Sequence, residues 1–225
     1  WQVGSSYTVQ VSATVTGPLG ASQPITWQFQ TAVPALQSLT PAAGDTVSVL
    51  ESTLRAVFDH ALDEVALRAA GSVRLFREGR EIPIDEPVYN SATRAIGFAP
   101  IEGLRAGTSY QAIIAAAVAG PQGAADFSWR FSTAVPQLQS VSPDSGAVGV
   151  SLDDLDEALV TFSVPIDDDQ LVPAKFILTR EGEPLALRNG DPQTRDASGV
   201  YGLAPADGWQ VGSSYTVQVS ATVTG

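Results

Sequence analysis

Cysteine and methionine are both missing from this 225-residue sequence, and histidine and lysine occur once each, as His60 and Lys175. Without cysteine there are no disulfides, no thiolate chemistry and no cysteine-ligated metal, a state compatible with either redox compartment. A nucleophile–histidine pair or a histidine metal cluster would have to recruit His60, so no catalytic constellation is expected. A single lysine also argues against a general Lys–Asn isopeptide staple. Basic residues number 12 against 24 acidic ones, for a net charge of −12. Nucleic acid and anionic membranes are then poor partners, because both need a basic footprint. No apolar run is long enough to span a membrane, and signal-peptide, lipidation and Asn-x-Ser/Thr patterns are absent as well.

What is present is a repeat. Trp1–Gly17, WQVGSSYTVQVSATVTG, recurs letter for letter as Trp209–Gly225, which sets a period of 208 residues. A weaker repeat lies inside that period. WQFQTAVPALQSLTPAAG from Trp27 matches WRFSTAVPQLQSVSPDSG from Trp129, 102 positions on, and Gly103–Val118 matches the stretch from Gly208, 105 positions on. Each period therefore holds two homologous domains of about a hundred residues, a usual size for a β-sandwich. The expected division is residues 1–34 as the last strands of one domain, 35–136 as a complete domain, and 137–225 as a domain without its last strand.

Period-two alternation dominates. Tyr7, Val9, Val11, Ala13 and Val15 alternate with Thr8, Gln10, Ser12 and Thr14, and Ile25, Trp27 and Phe29 alternate with polar neighbours. Phe127, Trp129 and Phe131 do the same, and the pattern predicts further strands over Leu54–Phe58, Val73–Arg77, Glu81–Ile84, Ala95–Ala99 and Tyr110–Val118. One helix-like stretch covers Leu62–Ala70. About seven short strands per hundred residues, separated by Gly/Pro/Asn turns, predict an all-β fold of tandem sandwiches. The motif L/W-x-x-G-x-x-Y at Leu104–Tyr110 and Trp209–Tyr215 places a tyrosine at the start of the penultimate strand, as in a tyrosine corner.

Ser142–Asp167 (SPDSGAVGVSLDDLDEALVTFSVPID), the AP-x-x-GL/GW-x-x-G-x-x-Y blocks at Ala99–Tyr110 and Ala204–Tyr215, and the closing W-x-F-x-T at Trp27–Thr31 and Trp129–Thr133 carry a resemblance. Together they resemble the bacterial Ig-like family of S-layer and large surface proteins. In Thr40–Asp63 the first element departs from the pattern, with His60 and Ala61 where Val164 and Pro165 stand in the sister stretch. The resemblance implies immunoglobulin-like sandwiches and an extracellular or cell-surface setting. It implies no enzymatic activity, since the family serves as spacer and scaffold.

Candidate sites follow from residue type. Asp153, Asp154, Asp156 and Glu157 form one acidic cluster and Asp167, Asp168 and Asp169 another; hard oxygen ligands on loops suit Ca²⁺, although the spacing is not that of an EF-hand. No other cofactor is expected. Trp27 and Trp129 fall on the core side of their strands, whereas Trp209 (and Trp1) replaces Leu104 at a loop, where it either caps the core or packs across a joint. Ile113, Ala115 and Ala117 stand where the sister strand has polar residues, which predicts a lateral contact. Ile25, Trp27 and Phe29 lie on a strand that a neighbouring copy could share by donor-strand complementation. The Ala-Val-Pro joints before residues 35 and 137 leave no slack, and Pro34 and Pro136 hold the chain extended. The expected function is a structural segment of a long extracellular fibre, stalk or adhesin shaft whose partner is itself, head to tail and laterally. The alternatives are a ligand-binding adhesin domain, calcium-dependent in one version, and an accessory module of a secreted enzyme.

Overall fold

The computed structural model describes residues 1–12, 16–17, 20–21 and 24–220. Its strands run, in chain order, β1 (Ser6–Val11), β2 (Thr16–Gly17), β3 (Gly20–Ala21), β4 (Ile25–Gln30), β5 (Leu36–Thr40), β6 (Thr46–Val47) and β7 (Leu54–Phe58). A short helix, α1 (Glu64–Leu67), precedes β8 (Val73–Arg77), β9 (Arg80–Ile82), β10 (Val88–Asn90), β11 (Ala95–Phe98), β12 (Ser109–Ile114) and β13 (Phe127–Thr133). Then come β14 (Leu138–Ser142), β15 (Ala158–Phe162), β16 (Phe176–Arg180), β17 (Glu183–Pro184), β18 (Gln193–Asp196), β19 (Val200–Leu203) and β20 (Tyr215–Val219). Two units emerge from their contacts: residues 1–45, 53–102 and 110–131, and residues 46–52, 103–109 and 132–225.

In the first unit a four-stranded sheet, β10-β11-β7-β5, accompanies a second sheet in which β13, β12, β8 and β9 are neighbours. Alternation explains the core. Leu54, Ala56 and Phe58 of β7, Val73 and Leu75 of β8, and Tyr110, Ala112 and Ile114 of β12 are all buried, while the residues between them face outward. Aromatic rings close the two layers: Phe58 meets Phe127 edge-on at 5.1 Å and Phe98 meets Trp129 at 6.3 Å. Such ring pairs add to the area term that holds the sandwich together. Two antiparallel pairs remain, the short β2 with β3 and β1 with β4, the latter running from Ser6 opposite Gln30 to Val11 opposite Ile25.

In the second unit the sheets are β14-β15-β19-β18 and β17-β16-β20. Their core gathers Val160, Phe162, Phe176, Leu178, Tyr201 and Leu203, with Trp209, Tyr215, Val217 and Val219 packed half-buried against it. Local devices recur between the units. Both β5 and β14 carry a register shift at their first residues, at Leu36/Ser38 and Leu138/Ser140. Ala35 N donates to the Asp59 side chain at 2.8 Å, and Gln137 N donates to that of Ser163 at 3.0 Å.

Several expected bounds change in detail: β9 covers Arg80–Ile82 instead of Glu81–Ile84, and β11 ends at Phe98 instead of Ala99. The helix is shorter than Leu62–Ala70, because Asp63 Oδ1 accepts from Val65 N and Ala66 N and so fixes the first turn at Glu64. The strand from Tyr110 stops at Ile114 instead of reaching Val118. Ala116–Ala119 forms a 3₁₀ turn that tucks Val118 and Ala119 fully inside. A run of alanines has low strand propensity, and the Asp126 carboxylate accepts from Ala116 N at 2.9 Å, so the chain turns there. Ala13, Thr14 and Val15, read as the end of the first strand, lie outside the described residues.

Candidate functional site

The corner tyrosines take the geometry their motif predicts. Tyr7 Oη accepts from Gln2 N at 2.5 Å and Tyr215 Oη accepts from Gln210 N at 2.7 Å, five residues upstream in each case. The corner glycines adopt left-handed backbone, with φ of 53° at Gly4, 62° at Gly107 and 74° at Gly212, where a side chain would be strained.

A clasp that the sequence did not announce joins the corners at Gly4 and Gly107 to the strands that follow them, β4 and β13. Thr31 Oγ1 donates to Gln2 O at 2.7 Å and accepts from Ser5 N at 2.9 Å. Thr133 Oγ1 does the same with Arg105 O at 2.5 Å and Thr108 N at 2.9 Å. Backbone bonds flank it, Gly4 N to Ala32 O and Gly107 N to Ala134 O. The invariance of the final threonine in the two W-x-F-x-T stretches was its only visible signal.

The corner loops also touch other elements of their own units. In the first unit Gln122 N donates to Gly4 O at 3.1 Å, and Gln122 Nε2 donates to Ser6 Oγ at 2.6 Å. Gly4 and Gly120 pass backbone to backbone, so a Cβ on either would strike a carbonyl of the facing segment, Ala119 O or Val3 O. In the second unit Arg105 Nη1 pairs with Asp169 Oδ2 at 3.1 Å, and Ala106 N reaches Asp167 Oδ1 at 3.4 Å.

Asp156, Glu157 and Asp169 of the acidic clusters are drawn into such pairs. Asp156 Oδ1 meets Arg188 Nη1 at 2.8 Å, and that hydrogen bond holds its carboxyl below the ordinary value. Glu157 takes both Arg195 Nε and Nη2 in a fork, with Gly202 beneath the pair. Asp169 is lowered first by the Gln170 side-chain amide and then by Arg105. Asp153, Asp154 and Asp168 are exposed. Among the described residues no three carboxylate or histidine groups converge on a point. His60 is exposed, and its Nδ1 lies 2.9 Å from Asp59 Oδ1.

The tryptophans divide. Trp129 is buried in the core, as expected, but Trp27 on the same side of its own strand is exposed, together with Ile25 and Phe29. Among the described residues β1 and β4 pair only with each other, whereas β13 lies inside a five-stranded sheet. Trp209 packs on the core of the second unit, edge-on to Tyr215 at 4.8 Å, and its Nε1 donates to Asp156 O at 3.0 Å. Trp1 repeats the ring geometry against Tyr7 at 4.7 Å. Ile113 faces outward beside Arg74 of β8, with Gln111 opposite Phe76 one step along. Ala115 and Ala117 leave the strand with the 3₁₀ turn, so the three do not form one flat strip.

Layered all-β units with corner tyrosines define a tandem immunoglobulin-like β-sandwich protein. The bacterial Ig-like domain profile matches residues 30–133 and 134–225. The chain belongs to the bacterial Ig-like domain family. No curated protein matches it. Among solved structures it is similar to CopC from Methylosinus trichosporium OB3b, at 12% identity and TM-score 0.35, over 45% of this chain and 93% of that one. It is also similar to the N-terminal part of the bacterial S-layer protein SbsC, at 10% identity and TM-score 0.33, over 85% of this chain and 42% of that one. A third is the LD transpeptidase LdtMt1 in complex with imipenem, at 14% identity and TM-score 0.32, over 66% and 62%.

Proposed function

We propose that this chain is a structural, non-enzymatic repeat segment of a long extracellular or cell-surface fibre, stalk or adhesin shaft, built head to tail with a 208-residue period. The observation that carries the reading is the letter-for-letter recurrence of Trp1–Gly17 at Trp209–Gly225 in a chain made of bacterial Ig-like domains. Each domain closes its own core, so length grows by addition. Only four residues, 134–137, separate β13 from β14, and one of them is Pro136.

The test is length. The main strands, five to seven residues at about 3.3 Å each, span about 17–23 Å, so each added period of two domains should lengthen the particle by at least about 35–45 Å in electron micrographs of multi-period protein. Length that does not scale with period number would sink the reading. The joints call on no metal in this proposal, so calcium or a chelator should leave the melting temperature of the chain unchanged. A calcium-dependent rise would favour the acidic loops as ligands.

A further inference from the structure

We infer that the Asp191–Pro192 peptide bond is a self-cleavage site, with the Asp191 side chain as nucleophile and Gln193 as the donor that polarises the bond's carbonyl. This is the one Asp-Pro pair in the sequence. It sits in the turn between β17 and β18, where Asp191 is exposed, Pro192 is buried and Gln193 opens β18. Gln193 Nε2 donates to Asp191 O, the carbonyl oxygen of the scissile bond, at 2.9 Å. A donor so placed draws electrons from the carbonyl carbon and stabilises the oxyanion that forms on attack.

The residue types suit the attack. An aspartyl oxygen that reaches its own main-chain carbonyl carbon closes a five-membered ring. Among the described residues no hydrogen bond or ion pair holds the Asp191 carboxyl, so it is able to turn onto that carbon. The neighbouring charges are engaged elsewhere: Arg188 with Asp156, Arg195 with Glu157, and Asp196 with the hydroxyl and amide of Ser198. Gly190, at a left-handed φ of 83°, ties the turn back through its N–H to Leu187 O at 3.0 Å. Pro192 supplies a tertiary amide nitrogen, without an N–H, as the leaving group.

The first unit is an internal contrast. Val88 and Tyr89 pair with Gly97 and Ile96 as Gln193 and Thr194 pair with Gly202 and Tyr201. Glu86–Pro87–Val88 therefore stands where the second unit has Asp191–Pro192–Gln193. A glutamate needs a six-membered ring for the same attack, and valine has no amide to donate.

The step balances. An oxygen of the protonated Asp191 carboxyl attacks the Asp191 carbonyl carbon, the C–N bond to Pro192 breaks, and the carboxyl proton passes to the proline nitrogen. Asp191 is left as a cyclic anhydride, which one water opens to two carboxyls. Nothing is oxidised or reduced. One product ends at Asp191 and the other begins at Pro192. They stay paired in the folded protein, because β19 pairs with β15 and β20 with β16 across the cut. The nick is then seen only under denaturing conditions. Cleavage at one bond inside the second unit does not depend on the fibre reading, so the two fail separately.

The test compares the full chain with a linear peptide of residues 186–197 at about pH 4.5, where ordinary carboxyls are protonated part of the time. Denaturing mass spectrometry follows two fragments whose masses sum to the intact chain plus one water. The folded chain should be cut at least about tenfold faster than the peptide, with no cut at Glu86–Pro87. Asp191→Glu keeps the charge and enlarges the ring, and should slow the cut about tenfold or more. Gln193→Met has similar length without the donor, and should lose most of the folded chain's advantage. Equal rates in chain and peptide would mean the ordinary acid lability of an Asp-Pro pair and overturn the inference. An uncut chain, or undiminished cleavage in Gln193→Met, overturns it as well. The peptide comparison needs no variant to fold.

Discussion

Gly4 and Gly120 face each other in the first unit with no room for a side chain on either. A Cβ on Gly120 would overlap Val3 O, one on Gly4 would overlap Ala119 O, and both residues have left-handed φ, 53° and 87°. Replacing Gly120 by alanine should cost about 1–2 kcal/mol for the backbone alone, plus the clash. Gly44 also has φ of 87° but meets open space, so Gly44→Ala isolates the backbone cost. Urea denaturation should rank Gly120→Ala clearly below Gly44→Ala. Equal losses would mean that the close approach is not stabilising.

The two kinds of tyrosine contact should separate by burial. Tyr201 is buried and its Oη accepts from Ile166 N at 2.7 Å, so Tyr201→Phe strands a buried N–H and should cost about 1–3 kcal/mol. Tyr215 bonds Gln210 N where water can substitute, and Tyr215→Phe should cost about 0.5–1.5 kcal/mol. Thermal melts of the two variants give the order, and a reversed order would contradict the burial argument.

Gly202 of β19 is fixed by an ion pair and not by its own dihedrals. A Cβ there would displace the Glu157 carboxylate and crowd Arg195 Nε. Gly202→Ala should therefore lower stability mainly in the presence of the pair. A cycle with Glu157→Gln should show a smaller effect of Gly202→Ala in the glutamine background, whereas additive effects would place the cost elsewhere.

Acid stability should follow the lowered aspartates. Asp59 is held down by Ala35 N and His60, Asp156 by Arg188, and Asp196 by Ser198. A depressed native pKa contributes stability that is present above the unfolded value and lost as pH falls through the native one. The melting temperature should hold from neutral pH down to about 4 and then fall, and Asp156→Asn should flatten that fall. Decline beginning above pH 5 would point to other groups.

Much of this fold was legible in the sequence because strand alternation and turn chemistry are local. Leu54–Phe58 and Val73–Arg77 come out with the ends their alternation predicts. The L/W-x-x-G-x-x-Y spacing gave the corner tyrosines, since a phenol and an amide five residues apart meet across one turn whatever surrounds them. The partners of the acidic clusters were not legible, for the opposite reason. Composition brought Asp156, Glu157 and Asp169 together on loops, and the tertiary fold delivered Arg188, Arg195 and Arg105 to them.

By itself the sequence determined the period, the family and the strand faces, all properties of order along the chain. Only the tertiary structure decided that Trp129 is core and Trp27 surface, although their motifs match. Burial depends on whether a second sheet lies opposite a strand, and that is a fact about residues far away in sequence. The same holds for the end of the strand from Tyr110, which alternation carries on to Val118. The Asp126 carboxylate turns the chain at Ala116, and Val118 goes inside.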